Sequence, residues 1–81
     1  MAADFTPGPW HVSGKQSIRG LQGEYIARAN WQNGPANARL IAAAPDMYAV
    51  CDALERAIGI VDLEDAVALA RAALAKARGE A

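Results

Sequence analysis

Sixteen of the twenty alanines in this chain lie beyond Pro35, where only three further glycines and prolines interrupt them. Alanine loses no side-chain entropy in a helix and is the strongest helix former, so this segment predicts helices. Only 23 of the 43 apolar residues are larger than alanine. The segment up to Pro35 is the opposite. It holds eight of the eleven glycines and prolines and both tryptophans, a composition that suits turns and short strands. The 81 residues form a single small domain over 1–81, with a β-rich part at 6–31 and a helical part at 34–79. A chain of this length buries little more than roughly 60% of its unfolded surface, so its core is marginal unless neighbouring copies extend it.

Eight basic and nine acidic side chains leave a formal charge of -1, which gives no global electrostatic drive toward nucleic acid or anionic membrane. A single cysteine, Cys51, excludes an internal disulfide framework. With His11 as the lone histidine, the Cys/His set is too small for a conventional structural zinc site. Asp46, Asp52, Glu55 and Arg56 interrupt the most apolar region, so no membrane span is expected. Met1–Phe5 has no basic run followed by an apolar stretch, and it does not read as a secretory signal.

In the front part, Thr6-Pro7-Gly8-Pro9 forms a rigid lead-in. A strand is expected from Trp10 to Val12, a turn over Ser13–Gln16, a short strand within Ser17–Gly23, and a further strand over Glu24–Ala29. Strict alternation in that last strand sets Glu24, Ile26 and Arg28 on one face and Tyr25, Ala27 and Ala29 on the other. Asn33 or Gly34 caps the first helix, with Pro35 at its first position, where a missing amide hydrogen costs nothing. Leu40, Ile41 and Ala44 are its expected apolar stripe. Pro45 cannot donate to the Ile41 carbonyl, so a second helix is expected to restart there, with Asp46 facing its positive end. Met47, Val50, Cys51, Leu54 and Ile58 follow at helical spacing up to Gly59. A third helix is expected after a capping Asp62, with Leu63, Val67, Ala70 and Leu74 on its inner face and Gly79 at its end. The fold class is therefore α+β: a small antiparallel hairpin or meander followed by two or three helices.

Two blocks of this chain, Thr6-Pro7-Gly8-Pro9-Trp10 and Asn37-Ala38-Arg39-Leu40-Ile41-Ala42-Ala43-Ala44-Pro45-Asp46-Met47, resemble a widespread group of small bacteriophage and prophage proteins of unassigned function. The resemblance spans roughly residues 6 to 58. Met47, Tyr48 and Val50 depart from the leucine-rich continuation common in that group. It brings no catalytic or ligand-binding residues to transfer. What it implies is a setting: a phage product acting in the cytoplasm of a bacterial host, where small accessory proteins often oppose host defence.

Reactive constellations are thin. His11 and Ser13 share a strand face, but no third group is placed to orient the imidazole. Asp62, Glu64 and Asp65 suit dipole compensation at a helix start better than a cation cluster. Gly14-Lys15 lacks the upstream glycine and following hydroxyl residue of a phosphate-binding loop. Cys51, on the expected core face, behaves as a small apolar group. No catalytic residue, cofactor or metal ligand is assigned.

Contact residues are better candidates. Trp10 is expected to plug the sheet against the helices. Trp31 stands among Asn30, Gln32 and Asn33, and a large aromatic in a polar loop suits a contact surface. Asn33, Asn37, Arg39 and Arg28 lie around the same helix start and complete the candidate surface. Arginine forks beside aromatic faces also suit a small nucleotide ligand. Duplex DNA is disfavoured, since no helix carries a basic stripe. The third helix is apolar at Leu63, Ala66, Val67, Leu69, Ala70, Ala73, Leu74 and Ala77, broader than one small sheet covers, so a homo-oligomer is expected. The functional expectation is a non-enzymatic phage accessory protein that inhibits an antiviral defence component, either a host defence protein or a sequestered nucleotide signal. The rival is a structural or regulatory phage protein contacting nucleic acid or virion components.

Overall fold

In the computed structural model, which describes residues 4–30, 32–56 and 63–80, the change of composition at Pro35 is a change of architecture. Strands β1 (His11–Ser13), β2 (Ser17–Arg19) and β3 (Tyr25–Arg28) precede helices α1 (Gly34–Ala42), α2 (Ala44–Arg56) and α3 (Leu63–Arg78). The strands form one antiparallel meander in the order β1-β2-β3. This is the α+β class expected. The Gly8–Pro9 peptide in the lead-in is cis.

Register is set by two turns. Gly14, at φ +69°, closes the first, and Val12 pairs with Ile18. In the second, the Gly20 amide donates to the Glu24 carbonyl at 2.8 Å and the Gly23 amide to the Gly20 carbonyl at 3.0 Å. Glu24, expected in the strand, belongs to this turn instead, where its Oε1 accepts the Gln22 amide at 2.9 Å. Ile18 pairs with Ala27 but Arg19 pairs with Tyr25, so β3 carries a bulge. The bulge breaks the strict alternation expected here, because one extra residue shifts the faces beyond it. Ile26 and Ala27, although consecutive, both pack against the core.

That core is built around Ile18, the largest fully buried side chain, with Ala29, Ala38 and Ala42, and with Trp10, Val12, Ile26, Ala27 and Ile41 packed around them. Burying one isoleucine contributes about 1.5–3 kcal/mol and each further methyl about 0.8 kcal/mol. The helix faces correct the expectation from periodicity. On α1 the buried positions are Gly34, Ala38 and Ala42, spaced one turn apart, while Leu40 and Ala44 are exposed. On α3 they are Ala66 and Ala73, with Ala70 and Ala77 half-buried, while Val67 and Leu74 are exposed. Small side chains let helix axes approach toward about 8 Å, and that closeness selects alanine over leucine at the contact. Periodicity weighs every apolar residue alike and so misplaces the centre of the stripe. Cys51 and Leu54 on α2, also expected in the core, are exposed for the same reason: the alanines of α3 do not reach far enough to cover them. Ile58, Gly59 and Asp62 lie outside the described residues.

The helix restart at Pro45 is present. Pro45 has no amide to offer, and the Ala43 amide is shared between the carbonyls of Arg39 at 3.1 Å and Leu40 at 3.2 Å. The Met47 amide then donates to the Ala43 carbonyl at 3.0 Å and opens α2. Helices α2 and α3 run antiparallel, fastened at one end by Lys76 Nζ donating to Asp46 Oδ2 at 2.8 Å. α3 ends in a Schellman motif: the Glu80 amide donates to the Ala75 carbonyl at 2.8 Å and the Gly79 amide to the Lys76 carbonyl at 3.1 Å, with Gly79 at φ +76°. The sheet packs on α1, leaving the α2/α3 hairpin extending beyond it. The result is an elongated molecule of 43 × 26 × 17 Å.

Candidate contact surface

The residues expected to form a contact surface do not converge on one spot. Trp31 lies outside the described residues. Asn33 is exposed just before α1 in a left-handed conformation, φ 60°, and makes no side-chain cap. The space at this helix start is taken by the Gln16 side chain, which lies against Gly34 where a larger residue's Cβ would stand. Asn37 is exposed on α1, one turn further on. Arg39 sits two residues later and therefore about 200° round the helix. Its side chain crosses to α3 and covers Gly79, and its buried Nε has no hydrogen-bond partner among the described residues. It is thus a packing residue at the carbonyl end of α3, where a cation is favourable, and not part of a solvated polar face. Arg28 is exposed at the end of β3, opposite Ser17.

The two sequence blocks meet instead at the first turn of α2. Gly8 stands against the Pro45 ring so closely that a Cβ on Gly8 would be 2.7 Å from the Pro45 Cβ. Around this contact Phe5, Trp10, Ala44, Pro45 and Tyr48 line a pocket of about 270 Å³. Phe5 meets Trp10 edge-on with ring centroids 6.3 Å apart, and Tyr48 at 4.9 Å, both in the T-shaped arrangement that the ring quadrupole favours. Trp10 is half-buried, as its expected role as a plug requires, and its Nε1 donates to the Thr6 carbonyl at 3.0 Å. Phe5 and Tyr48 keep 39% and 52% of their surface exposed. The sequence did carry a signal for this cup: an aromatic on each outer flank of a proline block, at Phe5 and at Tyr48. It lacked any indication that the blocks were neighbours.

The other groups weighed from sequence are dispersed. His11 is exposed on β1 opposite Arg19, and Ser13 is half-buried opposite Ser17. Arg19 turns toward the second turn, where its Nη1 donates to the Gly23 carbonyl at 3.0 Å and its guanidinium lies 5.6 Å from the Tyr25 ring centre. Glu64 and Asp65 occupy the exposed first turn of α3. Among the described residues no three His, Cys, Asp or Glu side chains gather as a metal site would require, and no helix is long and apolar enough to cross a membrane.

Comparison with curated proteins and with solved structures found no match to this chain. A family model does match it, and over all of residues 1–81. The chain belongs to the phage family described as Salmonella phage P22 protein Y8K6.

Proposed function

We propose that this phage protein is a non-enzymatic accessory factor that acts by binding, and that its target is a protein component of bacterial antiviral defence. The observation supporting this reading is the aromatic cup. Rings that only held the lead-in to the helices would be buried by them, whereas Phe5 and Tyr48 stay open beside Pro45. Exposed aromatics around a rigid proline are the residue types that dominate protein interfaces, where truncating a central one costs about 2 kcal/mol or more, roughly 30-fold in affinity. A sequestered nucleotide signal fits less well. Its phosphates need cationic or donor groups beside the rings, and the cup is lined by Phe5, Trp10, Ala44, Pro45 and Tyr48, with no arginine or lysine among them.

The test is phage plating on bacteria that carry defence systems one at a time, with and without this protein, followed by capture of the inhibited component. The wild-type protein is expected to restore plaque formation against one system, and a Phe5→Ala/Tyr48→Ala variant with unchanged helical content is expected to lose that effect. Failure to relieve any system, or full activity of the double variant, would overturn the proposal. DNA retardation that weakens steeply with salt would favour the structural or regulatory reading instead.

A further inference from the structure

The two faces of the meander differ in chemistry. Val12, Ile18 and Ala27 pair across the sheet and pack in the core with Ala38 and Ala42 of α1. Residues paired directly across strands share a face, so His11, Arg19 and Tyr25 form one row on the opposite side and Ser13, Ser17 and Arg28 a second. Tyr25 and Arg28 stand three positions apart, a spacing that puts two residues of a regular strand on opposite faces. The bulge in β3 brings both to this one. Tyr25 keeps 61% of its surface exposed, and His11 and Arg28 are exposed with it. From this face we infer that the protein holds single-stranded RNA, with phosphates on Arg19, Arg28 and Lys15 and a base on Tyr25. The surface is distinct from the aromatic cup, and the inference does not rest on the function proposed above.

Charge on this face has one sign. Between Asp4 and Asp46 the only acidic residue is Glu24. Its carboxylate lies over Gly20, beside Thr6 of the lead-in, and accepts the Gln22 amide. Gly20 follows Arg19, so a Cβ there points to the other side of the sheet and Glu24 lies on that side with it. Arg28 pairs with Ser17, which sets it about 6.8 Å from Arg19 along β2 and about 4.8 Å across. Lys15, exposed in the turn between β1 and β2, continues the line beyond Ser17. Three cations in succession suit a chain of phosphates.

The side chains between the cations select the kind of polyanion. Arg19 is already held in place: its Nη1 donates to the Gly23 carbonyl at 3.0 Å and its guanidinium lies 5.6 Å from the Tyr25 ring centre. Fixing it on binding therefore costs little, and the Gly23 bond uses one of its five N–H donors. The exposed Tyr25 ring offers a stacking surface that a base can use and an acidic peptide cannot. Ser13 and Ser17 stand opposite each other, and their hydroxyls, each donor and acceptor, match the ribose 2′-hydroxyl. A flat face of three short strands, about 10 Å wide, enters neither groove of a duplex but accommodates a few unpaired nucleotides.

Fluorescence anisotropy of a labelled oligouridine mixed with the full chain, titrated with salt, tests this without any variant. Three phosphate contacts predict a slope of log affinity against log salt of roughly -2. Arg28→Gln is expected to bring that slope to roughly -1.4. Tyr25→Leu is expected to lower affinity about 5-fold or more and leave the slope unchanged, because it removes stacking and no charge. Both positions are exposed, and circular dichroism of both variants should match the parent. Oligothymidine of the same length is expected to bind less tightly, and duplex DNA not to compete, which separates RNA capture on the sheet from duplex retardation. No binding at low salt, equal competition by polyglutamate or anionic vesicles, equal affinity for oligothymidine or duplex, an unchanged slope in Arg28→Gln, or parental affinity in Tyr25→Leu would each overturn the inference. Phe5→Ala/Tyr48→Ala is expected to bind oligouridine as the parent does, so a failed defence assay and a failed RNA assay remain distinguishable.

Discussion

Replacing Gly8 by alanine tests whether the two sequence blocks hold each other in place. The added Cβ would stand 2.7 Å from the Cβ and 3.3 Å from the Cγ of Pro45. Carbon atoms rest at about 3.5–4.0 Å, so one side must retreat by about 1 Å. Pro45 cannot give by rotating a bond, because its ring is fixed to the first turn of α2. The displacement therefore passes to the lead-in and to the rings of Phe5, Trp10 and Tyr48. Overpacking of this kind costs about 1–3 kcal/mol. A chain of 81 residues has about 4–12 kcal/mol in total, and each kcal/mol shifts the midpoint by about 4–8 °C at this size. Thermal and urea melts should show that loss, and near-ultraviolet circular dichroism should show a changed aromatic signal. Gly14→Ala is the comparison. It suffers only the left-handed backbone penalty, with no atom within 4 Å of its new Cβ, and should leave the aromatic signal intact. A Gly8→Ala protein within about 0.5 kcal/mol of its parent, with the parent's near-ultraviolet spectrum, would refute the packing argument.

Two further outcomes follow from contacts in the helical part. A double-mutant cycle of Asp46→Ala and Lys76→Ala should give a coupling below about 1 kcal/mol that fades between low and high salt, because both side chains are partly solvated; a coupling above about 2 kcal/mol would mean the pair is far drier than described. Gly79→Ala should cost about 1–2 kcal/mol for its left-handed conformation plus a steric share from the Arg39 Cδ, 2.6 Å from the new Cβ. In an Arg39→Ala background that steric share should disappear from the denaturation midpoint, and strict additivity would show that Arg39 does not cover Gly79.

Where the chain changes character, and where its turns fall, could be read from residue types alone. Pro35, Pro45 and Gly79 each act locally, through a missing amide or a permitted φ, and each stands where that chemistry requires. The helix faces were misread because they depend on distance between axes, which periodicity does not carry. Leu40 and Leu74 satisfy the spacing, yet Ala38 and Ala73 occupy the contact. The bulge in β3 was invisible for a similar reason, since it is set by pairing with β2. The contact surface was the least legible. Arg39 looked polar and solvated until α3 was seen to end beneath it, and Phe5 and Tyr48 lie 43 positions apart in sequence. Their meeting is long-range information that neither block holds by itself.

An interior made mostly of methyl groups has little ability to rearrange. Leucines and methionines absorb a push by changing rotamer, whereas Ala38, Ala42, Ala43, Ala66 and Ala73 have none to change. A push at Pro45 would therefore not be taken up by the alanines between α1 and α3, and would pass to those helices as whole units. A fold so built answers a load as a lever does, and not as a cushion.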